Sequence, residues 1–473
     1  MKKNFLQNIF FAAINFAALF VFTSETLLFA DVKLPDIFSS GMVLQRDLPV
    51  PVWGWADPQE KITVTINDQS QTAETGADGR WQVKLNPLKT GAPAKLIIKG
   101  KNEIVLDDVL IGEVWLCSGQ SNMEWQMNKL SDSKADIPSV NNPQIRLFQV
   151  RHEIAATPQD RLTPNIKWQP ANPNSVSNFS SIGYYFGAKL QAELGVPVGL
   201  IDSSWGGTRI EPWTPLVGFG SIDSLKNLAE TKLTQNPKNH QPTAIYNKMI
   251  YPLTPLAIRG AIWYQGESNL KDNQYADKMK ALINGWRNVF NNDDLAFYYV
   301  QLAPYKYGKE DPTFLPKIWE AQAAVETQVA KTGMVVINDV GNIGNIHPDK
   351  KKIVANRLAA QALNKTYGKK NIAGESPKVD KIIIEGEAII INFANAKELK
   401  TRDGKTPNWF EIAGDDDKYH KANAVIVDKT KIKLTSENVK KPLNVRFAWN
   451  QIAEPNLQNE NGLQLGAFRT KKD

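Results

Sequence analysis

The chain has 473 residues, with 56 Lys and Arg against 49 Asp and Glu and a formal net charge of +7. That balance is modest for the length. The lysine cluster near the end (Lys429, Lys431, Lys433, Lys440, Lys441) lacks an aromatic stacking platform, so a solvated face is expected there and no nucleic-acid partner. One cysteine, Cys117, excludes an intramolecular disulfide, and stability has to come from core burial, for which the chain is long enough.

Residues 1–30 have the pattern of an export signal. Lys2 and Lys3 precede an apolar run from Ile9 through Phe22, and the segment ends Leu-Leu-Phe-Ala before Asp31. Asn8, Asn15, Ser24, Glu25 and Thr26 interrupt what a retained anchor would need, a clean span of about twenty apolar residues. No later stretch is long and apolar enough to cross a bilayer. The expectation is a mature chain without a membrane span, in the periplasm or outside the cell.

Residues 31–108 contain short alternating runs at Val50–Trp55, Ile62–Ile66, Trp81–Leu85 and Lys95–Lys99, separated by breakers such as Ala77-Asp-Gly. This predicts a small β sandwich. Trp53, Trp55 and Trp81 are readable as core or as sugar platforms. From 109 to 372, apolar runs alternate with amphipathic stretches. Strands are predicted at Val114–Cys117, Val198–Asp202, Ala261–Tyr264, Phe297–Gln301 and Met334–Asn338. Helices are predicted near Tyr184–Leu194, Tyr275–Phe290, Trp319–Thr327 and Asp349–Leu363. Strand and helix in turn, with strands apolar on both faces, imply an α/β domain whose parallel sheet is covered by helices. The polar segment Gly218–Thr243 has the composition of a mobile loop over that domain. From 373 to 473 the strand pattern returns, in a second accessory β unit.

Four polar elements fall just past strand ends of the α/β region. Gly119-Gln-Ser-Asn-Met follows Val114–Cys117, where a strand-to-helix turn would expose the Ser121 hydroxyl as a nucleophile; the competing role is a helix cap. Trp205-Gly-Gly-Thr follows the next strand, and Gly206 or Gly207 can present a backbone N–H to a developing oxyanion, or simply make a tight turn. Trp263-Tyr-Gln-Gly-Glu-Ser-Asn brings amides and a carboxylate to the same edge. Finally, Asp339 through Asp349 contains His347, which can accept and return a serine proton near neutral pH.

In this order, Gly-Gln-Ser-Asn-Met-Glu, Trp-Gly-Gly-Thr, Trp-Tyr-Gln-Gly-Glu-Ser-Asn and Ile-His-Pro resemble the sialate O-acetylesterase family within the SGNH hydrolases, over nearly the whole mature chain. The resemblance implies a three-layer α/β/α domain with β-sandwich-like additions at both ends. It implies a serine carboxylic-ester hydrolase removing acetyl groups from sugar hydroxyls, with Ser121 as nucleophile and His347 as base. The implied oxyanion donors are the Ser121 N–H, Gly206 or Gly207, and the loop from Gln265 to Asn269. No metal or other cofactor is implied, and no histidine pair has zinc-ligand spacing.

One position departs from the pattern. Many SGNH enzymes have an Asp three residues before the histidine, and here Gly344 stands there. The candidates for holding the imidazole are, in order, a backbone carbonyl near Gly344, Asp339 and Asp349. Candidate substrate contacts are Gln120, Trp205, Arg209 and Glu267. Arg209 suits a sugar carboxylate, or equally a structural pair with Glu211 or Glu267. Trp125, Trp205 and Trp213 suit stacking on sugar rings or burial in the core. Two alternatives stand beside the sialate reading: an esterase of acetylated xylan or a similar plant polysaccharide, and a non-catalytic carbohydrate-binding protein.

Overall fold

The computed structural model describes residues 31–471, and the predicted export signal at 1–30 lies outside them. The organising element is the strand Glu103–Gly119, whose second half is buried without interruption. Val198–Ser204 and Gly260–Tyr264 flank it in parallel register. Across the sheet the order is Thr332–Val335, Ala296–Val300, Gly260–Tyr264, Glu103–Gly119, Val198–Ser204, Asn142–Gln149 and Gln169–Ala171, with the last strand antiparallel. The three strands Val198–Ser204, Gly260–Tyr264 and Ala296–Val300 are buried at every residue, as expected of a sheet covered on both faces.

Successive side chains on one strand show the layers. The Tyr298 hydroxyl meets Thr366 Oγ1 (2.7 Å) just past the helix Lys351–Lys365, whereas the Tyr299 hydroxyl donates to the Gln322 carbonyl (2.7 Å) of the helix Phe314–Gln328. Neighbours on a strand point to opposite faces, so these helices cover opposite sides. Ser181–Leu194 packs with Lys351–Lys365, and Tyr275–Val289 packs with Phe314–Gln328. This is the expected α/β/α arrangement. Ser180 Oγ caps the first of these helices by accepting the Gly183 N–H (3.0 Å), and Gly195 ends it at φ +66°.

The N-terminal unit pairs Lys61–Ile66 with Gln69–Glu74 and Ala94–Lys99, and Val50–Trp55 with Arg80–Leu85. Ala94–Lys99 pairs in turn with the first half of Glu103–Gly119, so the expected border at 108/109 falls inside one unbroken strand. Toward the C-terminus, one sheet joins Lys378–Glu385, Ala388–Ala394, Lys431–Thr435 and Asn423–Asp428, and another is built around Phe410–Ala413. Buried apolar side chains from all three regions form one continuous cluster. The polar segment Gly218–Thr243 is anchored where Phe219 and Leu225 pack on Ala281. No helix among the described residues is long and apolar enough to cross a membrane.

Candidate active site

The strand Glu103–Gly119 ends in a sharp turn into the short helix Ser121–Glu124. Gly119 has φ +138°, and a Cβ there would lie 2.2 Å from the Tyr264 carbonyl oxygen, so only glycine fits. The Gln120 N–H donates to the Tyr264 carbonyl (3.0 Å), and the Trp205 N–H donates to the Gly119 carbonyl (3.0 Å). The turn is thus tied to the ends of both neighbouring strands.

His347 reaches the same edge from the loop before the helix Lys351–Lys365, and its Nε2 lies 2.8 Å from Ser121 Oγ. A neutral imidazole at this distance can accept the hydroxyl proton, with the other ring hydrogen on Nδ1. Burial and then the nearby Lys351 hold His347 below the ordinary histidine range, which favours that neutral form. The Trp125 ring stacks on the imidazole at 4.7 Å between centroids and an interplanar angle of 27°.

Behind the pair lies a buried polar network. Asn122 Nδ2 donates to the Ile346 carbonyl (3.0 Å) and to Glu267 Oε1 (2.5 Å), so the residue after Ser121 fastens the residue before His347. Lys351 Nζ donates to Asn122 Oδ1 and sits 5.2 Å from the Tyr264 ring centroid. Lys351 is fully buried, and burial pushes its ammonium down to about 7. Burial likewise raises the Glu267 carboxyl above its usual range.

A second carboxylate builds the opposite wall. Glu124 Oε2 accepts the Gly206 N–H (2.6 Å), and Oε1 lies 3.1 Å from His152 Nε2, which also contacts the Ser204 carbonyl oxygen (3.0 Å). The His152 ring stacks on Trp205 at 4.6 Å between centroids, the two planes nearly parallel at 3°. The Glu124 carboxylate raises His152 above the ordinary histidine range. A Cβ on Gly206 would lie 3.2 Å from Ser121 Cβ, so this turn closes directly over the serine.

These contacts and their neighbours engage several of the residues expected to act on substrate. The Gly206 N–H is engaged by Glu124, while among the described residues the Ser121 and Gly207 N–H groups meet no acceptor. Gln265 Nε2 donates to the Thr208 carbonyl (3.1 Å) and Asn269 Oδ1 (2.8 Å). Asn269 Nδ2 donates to Glu211 Oε2 (3.1 Å) and Asp272 Oδ2 (2.9 Å). Both amides therefore have their hydrogens in use within the protein and are not free oxyanion donors. Asp339 forms a two-pronged ion pair with Arg357 (2.7 and 2.6 Å), and Asp349 is exposed. Among the described residues no hydrogen bond joins His347 Nδ1 to either of them or to a backbone carbonyl.

Of the substrate candidates, Gln120 is buried, and its Oε1 faces the Gly266 and Ser268 N–H groups at 3.4 Å. Glu267 belongs to the network behind the serine. Arg209 is held by Glu211 (3.0 Å) and Asp272 (3.5 Å), which is the structural alternative to a sugar carboxylate. Trp213 is fully buried in the core, whereas Trp205 and Trp125 are partly exposed beside the site. Asn122, Glu124, His152 and Lys351 were not anticipated. Asn122 and Glu124 lie within the Gly-Gln-Ser-Asn-Met-Glu motif, and Lys351 stands four residues after His347, at the start of the following helix; nothing local marks His152. Among the described residues no group of three or more His, Cys, Asp or Glu side chains could hold a metal ion.

Comparison with known proteins bears on this geometry. Residues 111–364 match the family described as carbohydrate esterase, sialic acid-specific acetylesterase. The sialate O-acetylesterase of Rattus norvegicus is 30% identical over 442 residues, covering 79% of this chain and 80% of that protein. The human sialate O-acetylesterase is 29% identical over 429 residues, covering 80% of each. A solved carbohydrate acetylesterase from Xanthomonas citri superposes with a TM-score of 0.86 at 35% identity, over 93% of this chain and 100% of that one.

Proposed function

The chain belongs to the carbohydrate esterase family of sialic acid-specific acetylesterases, and from that premise we propose that it removes acetyl groups from the hydroxyls of sialic acid through a Ser121 acetyl-enzyme. The observation that carries the reading is the 2.8 Å contact between Ser121 Oγ and His347 Nε2 at the carboxyl edge of the sheet. His347 takes the hydroxyl proton as Oγ attacks the acetyl carbonyl carbon, and the Ser121 and Gly207 N–H groups donate to the oxygen that becomes negative. The sugar oxygen then leaves with the proton from Nε2. Water repeats the sequence on the acetyl-enzyme, releasing acetate and restoring the serine.

His347 works in this scheme without a carboxylate partner. The fixed Ile346 carbonyl and the Trp125 ring hold the imidazole in place, and Glu124 holds the Gly206 turn against Ser121. The experiment is acetate release from O-acetylated sialic acid by the parent and by Ser121→Ala. Turnover falls by about 10⁶-fold in the variant if the serine is the nucleophile; a variant retaining near-normal turnover contradicts the assignment.

A second reading, an esterase of acetylated xylan or another neutral polysaccharide, is supported by Arg209, whose guanidinium is held by Glu211 (3.0 Å) and Asp272 (3.5 Å) rather than left for a sugar carboxylate. Faster acetate release from acetylated xylan than from O-acetylated sialic acid favours it. We also propose export to the periplasm or beyond, on the pattern of residues 1–30. N-terminal sequencing of the exported protein is expected to begin at Asp31, and recovery of an uncleaved chain in the membrane would count against it.

A further inference from the structure

We propose that Arg151 and Lys167 form a subsite for the carboxylate of an acidic sugar, beside the nucleophile and on the His152 side of it. The inference deepens the acetylesterase reading and rests on it. A cavity of about 480 Å³, within the range of small-ligand sites, opens against Glu124 and His152 and is lined further by Arg151 and Lys167. Glu124 reaches from this cavity to the Gly206 turn, which itself lies against Ser121. A sugar seated here therefore shares the Glu124 side chain with the turn that closes over the serine.

The charges on the cavity wall are unequal in their commitments. Both oxygens of Glu124 are engaged, by the Gly206 N–H and by His152, so this carboxylate has limited capacity to neutralise a third group. Arg151 and Lys167 are exposed, and among the described residues neither has a carboxylate partner. Arg209, another cation near the site, is held by two carboxylates. Two uncommitted cations of different reach, flanking a cavity that also offers the amides of Gln126 and Asn165, match a polyhydroxylated ring carrying one carboxylate. The same chemistry occurs in a nine-carbon sialic acid and in a hexuronate.

The test compares each acetylated acidic sugar with its methyl ester, which removes the charge and leaves the acetyl group untouched. Probes are O-acetylated N-acetylneuraminic acid, acetylated galacturonic acid, and acetylated xylose as a neutral sugar. In the parent enzyme, kcat/KM for the acid is expected to exceed that for the methyl ester by about ten- to a hundredfold, mainly through KM, as for a charged hydrogen bond. In Arg151→Gln/Lys167→Gln that ratio is expected to fall towards one. Because it is a ratio within one enzyme, a general loss of folding or chemistry cancels.

A parent ratio near one overturns the subsite, and so does a large ratio that the double variant leaves unchanged. If the parent hydrolyses the sialic acid substrate but the ratio ignores Arg151 and Lys167, the sialate reading stands and the subsite falls. If only the uronate shows the dependence, the subsite stands and the sialate reading falls. Hydrolysis of the neutral sugar alone rejects both.

Discussion

Lys351 is buried at the first position of its helix, four residues after His347, among the described residues without a carboxylate in contact, and its ammonium is pushed down to about 7. Its positive form opposes protonation of the imidazole, the second cause of the lowered His347 value after burial. Replacing it by Met keeps the length of the side chain and removes the charge. In Lys351→Met the acid limb of the kcat/KM profile is therefore expected to move to higher pH. An unmoved limb, with activity merely scaled, would mean that Lys351 acts only through its hydrogen bond to Asn122. The sign follows from the histidine having to be neutral to act as a base: removing the cation raises its pKa and extends the protonated, inactive range upward.

At the scale of elements, the Asp339–Arg357 pair joins the loop carrying His347 to the helix Lys351–Lys365. Both side chains are largely sequestered from solvent, so Asp339→Asn leaves a guanidinium poorly compensated and is expected to destabilise the protein by about 3 kcal/mol. Its effect on kcat is expected to stay far below the roughly 10⁴-fold loss of a true triad acid. Urea unfolding and turnover measured on the same preparation separate the two outcomes. A 10⁴-fold loss of kcat without loss of stability would restore Asp339 to the catalytic pair.

The strands most legible in the sequence were those buried on both faces, because an unbroken apolar run needs no partner to be recognised. Asn142–Gln149 escaped notice because its apolar residues share eight positions with Pro143, Gln144 and Arg146. Arg146 is made compatible with burial by the Asp108 carboxylate (2.6 Å) and the Gly41 carbonyl (3.0 Å), partners far away in the chain. The helix predicted at Trp319–Thr327 begins earlier, at Phe314, just after Asp311 Oδ1 accepts the Thr313 N–H (2.8 Å). The site was legible to the extent that polar motifs fell after strand ends. The occupation of the Gln265 and Asn269 amides was not, since Thr208 and Glu211 lie 57 and 58 residues away.

At the scale of the molecule, a fully buried carboxylate ties the N-terminal unit to the central sheet. Glu113 accepts from Arg46 Nε (2.6 Å), Arg259 Nε (3.0 Å) and Gln45 Nε2 (3.0 Å). Glu113→Ala strands two partly buried guanidiniums together, and the expected loss is about 3–5 kcal/mol. Chemical denaturation followed by tryptophan fluorescence checks it; a loss under about 1 kcal/mol would mean that solvent takes over the carboxylate's role. Elsewhere the C-terminal unit supports the loops below the histidine, with the Tyr305 N–H donating to the Gln451 carbonyl (2.9 Å) and Asn338 Nδ2 to the Ala453 carbonyl (3.0 Å).

The seventeen residues Glu103–Gly119 begin among antiparallel neighbours and finish one peptide short of Gln120, at the serine turn. A fragment begun at 109 would thus be cut through the middle of a beam rather than at a joint, baring ladder groups on a newly made edge. Engineering that trims or exchanges the front of this protein has to carry the entire beam with one partner or the other.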